Sequence, residues 1–411
     1  MKKFFKSFFS LGLIQVFGLL TPLILTPFII HKVGLSVFGI IATAQSIVVF
    51  FNLITEFGFN TTTVRNLSQQ KNNHTASEKI VTTVFYLKLI LLLIAFGIYF
   101  SLINLVPNFK NHFGIFLFSF SMVVGQTLLP IWYYQGTEKI SKTTIPILIS
   151  KLLSVALIFI CIRKPEDALY VNLIYGFCNL CAGIYLYSGI FKSYNFSFKQ
   201  LQLSNIVVEL KENMAMFLSN VSIVAYANST IIILSFFISP EALGVYGVID
   251  KILQLMKSVL VLVHNSVYPM ICNIIKFEKE TLIKFLKKIY FSLWLLVFSG
   301  AVFLYFIPDL ILGYFIQNPN EGSEYLKYLG FLIFIVSLNM PFNQSLLALK
   351  KDWIVLRIVF LSSIISLLLN FLIVPKYGVN GSVLTMFITE TIVTCSFFYC
   401  FLKTDLIKIQ K

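Results

Sequence analysis

Residues 113–144 read FGIFLFSFSMVVGQTLLPIWYYQGTEKISKTT. The segment up to residue 134 is almost entirely apolar, and a helix that crosses a bilayer needs about 20 such residues. The run ends in Pro130, Trp132 and two tyrosines, and a glycine and the charged Glu138 follow. Aromatic rings at the end of an apolar run are typical of the membrane–water interface. We therefore expect a spanning helix that Pro130 kinks near its end and that stops at Gly136.

The composition of the whole chain indicates a membrane protein with many spans. Of 411 residues, 58% are hydrophobic and 12% are charged, and the mean hydropathy is +0.87. Soluble domains carry about 25% charged residues. The net charge of +15 is dispersed among short gaps, without the basic domain or basic helix face of a nucleic-acid binder, so nucleic acid is not an expected partner.

Twelve apolar segments are long enough to span, and the gaps between them leave no room for a folded domain outside the membrane. The N-terminal segment resembles a signal peptide, but its apolar run is too long and no small-x-small cleavage site follows, which favours a retained first helix. The predicted spans are 8–30, 37–59, 80–103, 113–134, 144–162, 168–191, 213–238, 243–271, 285–307, 326–347, 354–374 and 378–402.

The distribution of Lys and Arg predicts the orientation. If both termini are cytoplasmic, the cytoplasmic segments hold about four times as many Lys and Arg residues as the opposite side. Cytoplasmic loops of membrane proteins show this excess of positive charge. We therefore expect both termini to face the cytoplasm.

The chain also shows signs of an internal duplication. G-L-S-V-F-G-I-I at 34–41 and L-G-V-Y-G-V-I at 243–249 occupy equivalent places after the first and seventh spans. Six spans in each half would give two repeats of the same orientation. The predicted organisation is a six-helix lobe at 1–191, a linker at 192–212 and a second six-helix lobe at 213–411.

Several motifs in order along the chain resemble those of the bacterial polysaccharide transporters that flip lipid-linked O-antigen units. This family belongs to the multidrug/oligosaccharidyl-lipid/polysaccharide exporter superfamily. The motifs are V-G-L-S-V-F-G at 33–39, E-F-G-F at 56–59 with Arg65 after it, P-x-W-x-x-Q-G-x-E at 130–138, A-L-G-V-Y-G at 242–247 and Y-G-V-N-G at 377–381.

The resemblance implies an all-α integral membrane protein with about 12 helices in two lobes around a central cavity. It implies a flippase in the bacterial inner membrane that moves polyprenyl-diphosphate-linked O-antigen-type units to the outer face by alternating access. The lipid-linked oligosaccharide and membrane lipids would be its partners, together with a polysaccharide polymerase and chain-length machinery. A cation-coupled drug exporter and a peptidoglycan-precursor flippase are alternatives within the superfamily. A membrane glycosyltransferase or polymerase would show a large loop outside the membrane.

The eighth span carries a polar stripe that is the first candidate for substrate binding. On a helical wheel, Asp250, Gln254, Lys257 and His264 lie within about 80° of one another. Polar groups are costly against lipid, so this face should point to the protein interior. We interpret it as the lining of a cavity in which Lys257 binds the diphosphate, and a structural Asp250–Lys257 pair is the alternative.

Other candidates are polar or charged residues inside or at the ends of spans. They are Gln45, Asn52 and Glu56 on one face of the second span, Lys88 and Lys151 inside the cytoplasmic ends of the third and fifth, and Arg65 after the second. For the two lysines, snorkelling to the headgroups is the alternative. Residues 276–289 predict an amphipathic helix on the inner leaflet.

No catalytic or metal motif is predicted. The chain has no glycine-rich phosphate loop, and no nucleophile–base or paired-carboxylate motif stands out. The pair Cys178 and Cys181 lacks a second Cys/His cluster, so no metal site is expected. No cofactor is expected, and coupling to an H⁺ gradient, a Na⁺ gradient or the membrane potential is left open.

Overall fold

The protein is all-α in the part that the computed structural model describes, residues 2–70, 73–194, 196, 203–274 and 279–403. This confirms the predicted fold class. The helices of the first half are α1 (Lys2–Val33), α2 (Leu35–Glu56), α3 (Phe59–Gln69), α4 (His74–Leu105), α5 (Pro107–Lys110), α6 (Phe113–Thr127), α7 (Ile131–Gly136), α8 (Ser141–Cys161) and α9 (Ala168–Phe191). Those of the second half are α10 (Leu203–Leu234), α11 (Pro240–Ile274), α12 (Lys279–Phe306), α13 (Pro308–Gly313), α14 (Asn320–Ala348) and α15 (Asp352–Lys403).

Within these described residues, nine helical segments are long and apolar enough to cross a membrane. They lie in α2 to α4, α6 to α10, α12, α14 and α15, and a shorter apolar stretch covers Phe17–Val33 of α1. The chain is thus a multi-pass membrane protein. All twelve predicted spans fall on helices, but the count of twelve membrane crossings stays a prediction.

The chain divides into two compact units, Met1–Val224 and Ala225–Lys411, with the boundary inside α10. The predicted linker, 192–212, lies partly outside the described residues. Its last part, from Leu203, is helical and forms the beginning of α10. The predicted domain limits stay a prediction.

Helix ends in the first unit follow local rules of sequence. The side chain of Asn73 accepts a 3.1 Å hydrogen bond from the backbone N–H of Ala76, which caps the start of α4. Pro107 takes the first position of α5, where its missing N–H leaves no helical bond unmade. Between α2 and α3, Phe57 and Gly58 adopt positive φ angles of 42° and 84°, so the chain turns sharply at E-F-G-F.

Helices α6 and α9 touch through glycines. A Cβ on Gly176 of α9 would overlap the backbone carbonyl of Ser121 on α6, and one on Gly183 would overlap the carbonyl oxygen of Leu128. A Cβ on Gly125 of α6 would in turn overlap the carbonyl oxygen of Gly176. Small residues allow membrane helices to approach to backbone contact, where dispersion forces act over the whole interface.

The predicted aromatic belt at the end of the fourth span is wrong. Trp132, Tyr133 and Tyr134 are 1%, 5% and 7% exposed, and they belong to a buried cluster that includes Phe57 and Phe59. The physical reason is a break in the helix: α6 ends at Thr127, and the next helix begins after Pro130 rather than continuing with a kink. The short α7 thereby turns its rings into the protein.

In the second unit, α15 is a helical hairpin. Gly378 has a φ of 55° and a ψ of −130°, outside the helical region. A Cβ on Gly381 would lie 3.0 Å from the carbonyl oxygen of Ile373, although these residues are eight apart and would be about 12 Å apart in a straight helix. The two halves agree with the predicted spans 354–374 and 378–402.

The predicted amphipathic helix at 276–289 lies partly outside the described residues, which resume at Lys279. From there the chain forms the first turns of α12 and continues into the ninth predicted span without a break. Leu282 and Leu286 are 1% and 7% exposed, so they pack on protein. A separate helix lying on the membrane surface is therefore wrong for the described residues.

Candidate functional site

In the first unit, Lys88 is a buried cation. It is only 2% exposed, and its charge interacts with that of Glu56 at the end of α2. The side chain of Gln126 on α6 donates a 3.2 Å hydrogen bond to Glu56 Oε1. Asn52, one turn before Glu56, has a buried Oδ1 without a hydrogen-bond partner. We call Asn52, Glu56, Lys88 and Gln126 the Lys88 cluster.

The burial of Lys88 disagrees with snorkelling, because a snorkelling ammonium group reaches water or headgroups. An ammonium inside a membrane protein is costly without partners, and the negative charge of Glu56 offsets part of that cost. The structure therefore brings together the predicted residues Glu56 and Lys88, and Asn52 lies one turn from Glu56 on α2. Gln126 was missed, although it is an amide inside the fourth apolar run and next to the glycine at 125.

Gln45 has a different environment from the other polar residues of α2. Its side chain donates a 2.8 Å hydrogen bond to Asn172 Oδ1, and Asn172 donates a 2.7 Å hydrogen bond to Ser119. Asn172 is only 1% exposed. This chain of bonds joins α2, α6 and α9 inside the first unit, which indicates that Gln45 holds helices together.

Lys151 and Arg65 lie on α8 and α3, helices that contribute no residue to the Lys88 cluster. Lys151, on α8, is partly buried against α1, and its Nζ lies 2.8 Å from the position that a Cβ on Gly18 would take. Arg65 is exposed on α3. Helix α3 packs on α7, where a Cβ on Gly136 would lie 2.9 Å from the Cβ of Leu67. The E-F-G-F and P-x-W-x-x-Q-G-x-E motifs thus lie at the two sides of one packing contact.

In the second unit, the predicted polar stripe lies on one continuous helix, α11. Gln254 donates a 2.6 Å hydrogen bond to Asp250, and the charge of Asp250 interacts with those of Lys251 and Lys257. Asp250 and Lys257 are both partly buried. The structure therefore places Asp250, Gln254 and Lys257 near one another, as the helical spacing predicts.

His264 lies further along α11 and takes part in a different set of contacts. Its ring stacks on that of Tyr268 at 6.3 Å between centroids. The side chain of Gln344, on α14, donates a 2.9 Å hydrogen bond to the backbone carbonyl of His264 and accepts a 2.7 Å bond from Tyr290. These contacts connect α11, α12 and α14 inside the second unit.

Glu390 is a site residue that the sequence interpretation missed. It lies on α15, is 7% exposed, and its charge interacts with that of Lys257. The buried hydroxyl of Tyr226 neighbours its carboxylate. A single carboxylate inside the apolar run 378–402 was the signal, since charged groups within spans are expensive and rare. We call Tyr226, Asp250, Lys251, Lys257 and Glu390 the Lys257 cluster.

The Lys257 cluster balances its formal charges, with two carboxylates against two ammonium groups. Such a balance lowers the cost of holding ions away from water. An anionic ligand that displaces a carboxylate from Lys257 would find a cation already in place. Among the described residues no group of three or more His, Cys, Asp and Glu side chains has the arrangement of a metal site.

Comparisons with known proteins agree on family and fold. The family model described as polysaccharide biosynthesis protein matches residues 4–275. A protein of Escherichia coli strain K12 named "Putative O-antigen transporter" is 25% identical over 392 residues, which cover 93% of each chain.

Two solved structures share the fold at low sequence identity. A lipid II flippase MurJ in an inward closed conformation superposes with a TM-score of 0.75 at 15% identity, over 98% of this chain and 87% of that one. An inward-facing multidrug resistance MATE family transporter gives 0.69 at 12% identity, over 95% and 96%. Because the family model covers about two thirds of the chain, this multi-pass membrane protein belongs to the polysaccharide biosynthesis protein family.

Proposed function

We propose that the protein flips polyprenyl-diphosphate-linked, O-antigen-type repeat units from the cytoplasmic to the outer face of the bacterial inner membrane. The observation that carries this proposal is the relative named as an O-antigen transporter, which aligns over 93% of the chain. The solved structures support only the fold, and they are compatible with alternating access.

The chemistry of the substrate supports a role for Lys257. A diphosphate must cross hydrocarbon, where its charge is stable only beside cations or water. Lys257 is partly buried and interacts with Asp250 and Glu390, so the empty transporter keeps its ammonium neutralised. In our proposal the diphosphate competes with these carboxylates for Lys257. While the diphosphate is bound, the carboxylate of Asp250 keeps its hydrogen bond from Gln254.

The Lys88 cluster is a second candidate for contact with the substrate. Its buried Asn52 Oδ1 lacks a hydrogen-bond partner, and a sugar hydroxyl is a donor that would satisfy it. The side chain of Lys88 is buried among protein atoms, so we propose that it neutralises the charge of Glu56 and does not bind the substrate directly. Arg65, exposed on α3, is the candidate for first contact with the diphosphate.

The proposal includes the predicted orientation, with both termini in the cytoplasm, which the distribution of Lys and Arg favours. It also includes functional association with a polysaccharide polymerase and chain-length machinery, which would consume the flipped units.

Drug export is the second candidate function, and the shared fold with a multidrug transporter favours it. A pump for cationic drugs needs an acidic pocket free to bind a cation. Here both carboxylates of the Lys257 cluster interact with lysines, which favours an anionic substrate.

A deletion strain of the native host separates these functions. We expect loss of surface polysaccharide, accumulation of the lipid-linked unit, and unchanged sensitivity to cationic dyes. In spheroplasts, the accumulated unit should be protected from an added glycosidase that reaches only the outer face. Complementation with the wild-type gene should restore both polysaccharide and glycosidase access.

Two results would contradict the proposal. Normal surface polysaccharide with increased dye sensitivity would indicate a drug exporter. Loss of cell-wall synthesis with accumulated peptidoglycan precursor would indicate the precursor flippase.

A further inference from the structure

A groove runs between α8 and α9 on the exposed surface of the first unit. It has a volume of about 780 Å³ and is lined along α8 from Ser141 to Leu153 and along α9 from Cys178 to Lys192. Ile145 and Tyr185 on its walls are each 68% exposed, so the groove opens to the outside of the protein. Both helices are long apolar segments, and the groove therefore opens to the surrounding lipid.

The charges of this groove, which we call the α8–α9 groove, are at one end. Lys142 is the second residue of α8 and Lys192 directly follows α9, so the two antiparallel helices place both ammonium groups at the same mouth. Both lysines are exposed, and among the described lining residues there is no carboxylate. The rest of the lining is mostly apolar, with Ile149 and Leu153 on one wall.

The length of the groove favours the acyl chain of a phospholipid over a polyprenyl tail. From Ser141 to Leu153 the helix rises about 18 Å, which is close to the thickness of one leaflet, half of a hydrocarbon core of about 30 Å. An acyl chain of a phospholipid fits that depth while its phosphate reaches the lysines. A polyprenyl tail is much longer than an acyl chain and would extend beyond the groove.

We propose that the α8–α9 groove binds one anionic phospholipid, with an acyl chain between the helices and the phosphate beside Lys142 and Lys192. Basic pockets between spanning helices at the cytoplasmic surface recognise anionic headgroups in this way. The groove contains none of the candidate substrate residues, so this lipid is separate from the transported unit. The lipid site shares with the proposed function only the predicted cytoplasmic position of Lys142 and Lys192.

Native mass spectrometry of the full chain, with added phosphatidylglycerol or phosphatidylcholine of the same acyl chains, tests the proposal. The wild type should bind one phosphatidylglycerol more tightly than phosphatidylcholine. Lys142→Gln with Lys192→Gln should weaken phosphatidylglycerol binding about 30-fold and remove the preference for this lipid. Each lysine near an anionic headgroup contributes a similar share of the binding free energy, and two such shares correspond to about that factor in affinity. Cys181→Trp, which fills the exposed middle of the groove without a change of charge, should weaken the binding of both lipids to this site.

The matched control removes the same charge elsewhere. Lys79→Gln with Lys110→Gln changes two exposed lysines outside the groove and should leave phosphatidylglycerol binding unchanged. An equal loss in this control would show a general charge effect and overturn the site. Unchanged binding in Cys181→Trp would overturn the acyl-chain position. Preferential binding of undecaprenyl phosphate that phosphatidylglycerol does not displace would assign the groove to the substrate tail and overturn the proposed ligand.

Discussion

Gln254 donates a 2.6 Å hydrogen bond to Asp250 one turn earlier on α11, so this carboxylate has a partner on its own helix besides the neighbouring lysines. Hydrogen bonds to a charged group stabilise it more than those between neutral groups. Asp250 can therefore stay in place when Lys257 engages another anion. Glu390 differs, because its neighbours Lys257 and Tyr226 lie on other helices.

The first prediction concerns Lys257. Lys257→Gln should abolish flipping, because it removes the cation that we assign to the diphosphate, and Lys257→Arg should retain part of the activity. The measurement is surface polysaccharide per amount of transporter in the membrane. Because Lys257→Gln also leaves the buried Glu390 without its cation, a lower protein level is expected in that variant.

A second variant separates binding from structure. Lys257→Gln combined with Glu390→Gln should recover the protein level and remain inactive. Recovery of flipping in this double variant would show that Lys257 serves only as a structural partner. The double change Asp250→Asn with Lys257→Gln provides the same comparison for the other carboxylate.

The second prediction concerns the Lys88 cluster. Lys88→Met removes the cation whose charge interacts with that of the partly buried Glu56, and it should destabilise the protein by about 1–3 kcal/mol. Thermal unfolding in detergent, followed by the amount of monodisperse protein, measures the effect. Lys88→Met with Glu56→Gln should recover most of the loss, and Lys79→Met, at the exposed start of the same helix, should have little effect. Equal melting temperatures for Lys88→Met and Lys79→Met would contradict the pairing.

The third prediction concerns the glycine contact of α6 and α9. Gly176→Ala should destabilise the protein by about 1–3 kcal/mol, because the new methyl group overlaps the backbone of Ser121. Gly97→Ala is the control: its Cβ meets nothing within 4 Å, and alanine favours a helix by about 1 kcal/mol over glycine. The same thermal assay applies. A variant Gly176→Ala that is as stable as Gly97→Ala would show that the two helices can move apart freely.

The fourth prediction is the orientation. Reporter fusions after Lys71, Lys142, Lys199, Lys279 and Lys351 should report a cytoplasmic position. Those after Lys110 and Glu166 should report an external one, because most lysines and arginines then remain in the cytoplasm. A consistent external signal after Lys142 would overturn the topology.

The sequence was sufficient for features that depend on local pattern. Apolar length located the helices, and the spacing of Asp250, Gln254 and Lys257 placed them on one face of α11. These are properties of a single helix with a fixed repeat. The prediction needs no knowledge of the neighbouring helices.

Features that depend on packing were missed or misassigned. Aromatic rings at 132–134 are equally compatible with a position among lipid headgroups and with a position in the protein core. The break in the helix before α7 turns them into the core. Snorkelling of Lys88 is likewise compatible with its position near the start of the predicted span 80–103, and the burial of its side chain and the neighbouring charge of Glu56 exclude it. Glu390 shares no helix with Lys257, so no periodicity along one segment could connect the two residues.

The reversal of the chain at Gly378 also affects how the protein can be handled. Two helices joined through one non-helical residue offer almost no extended peptide, and proteases require extended peptide to cleave. An epitope tag inserted there would have to unwind helical turns on both sides. Tags and engineered protease sites therefore belong in other connections, and the hairpin itself should survive digestion of the intact membrane as one fragment.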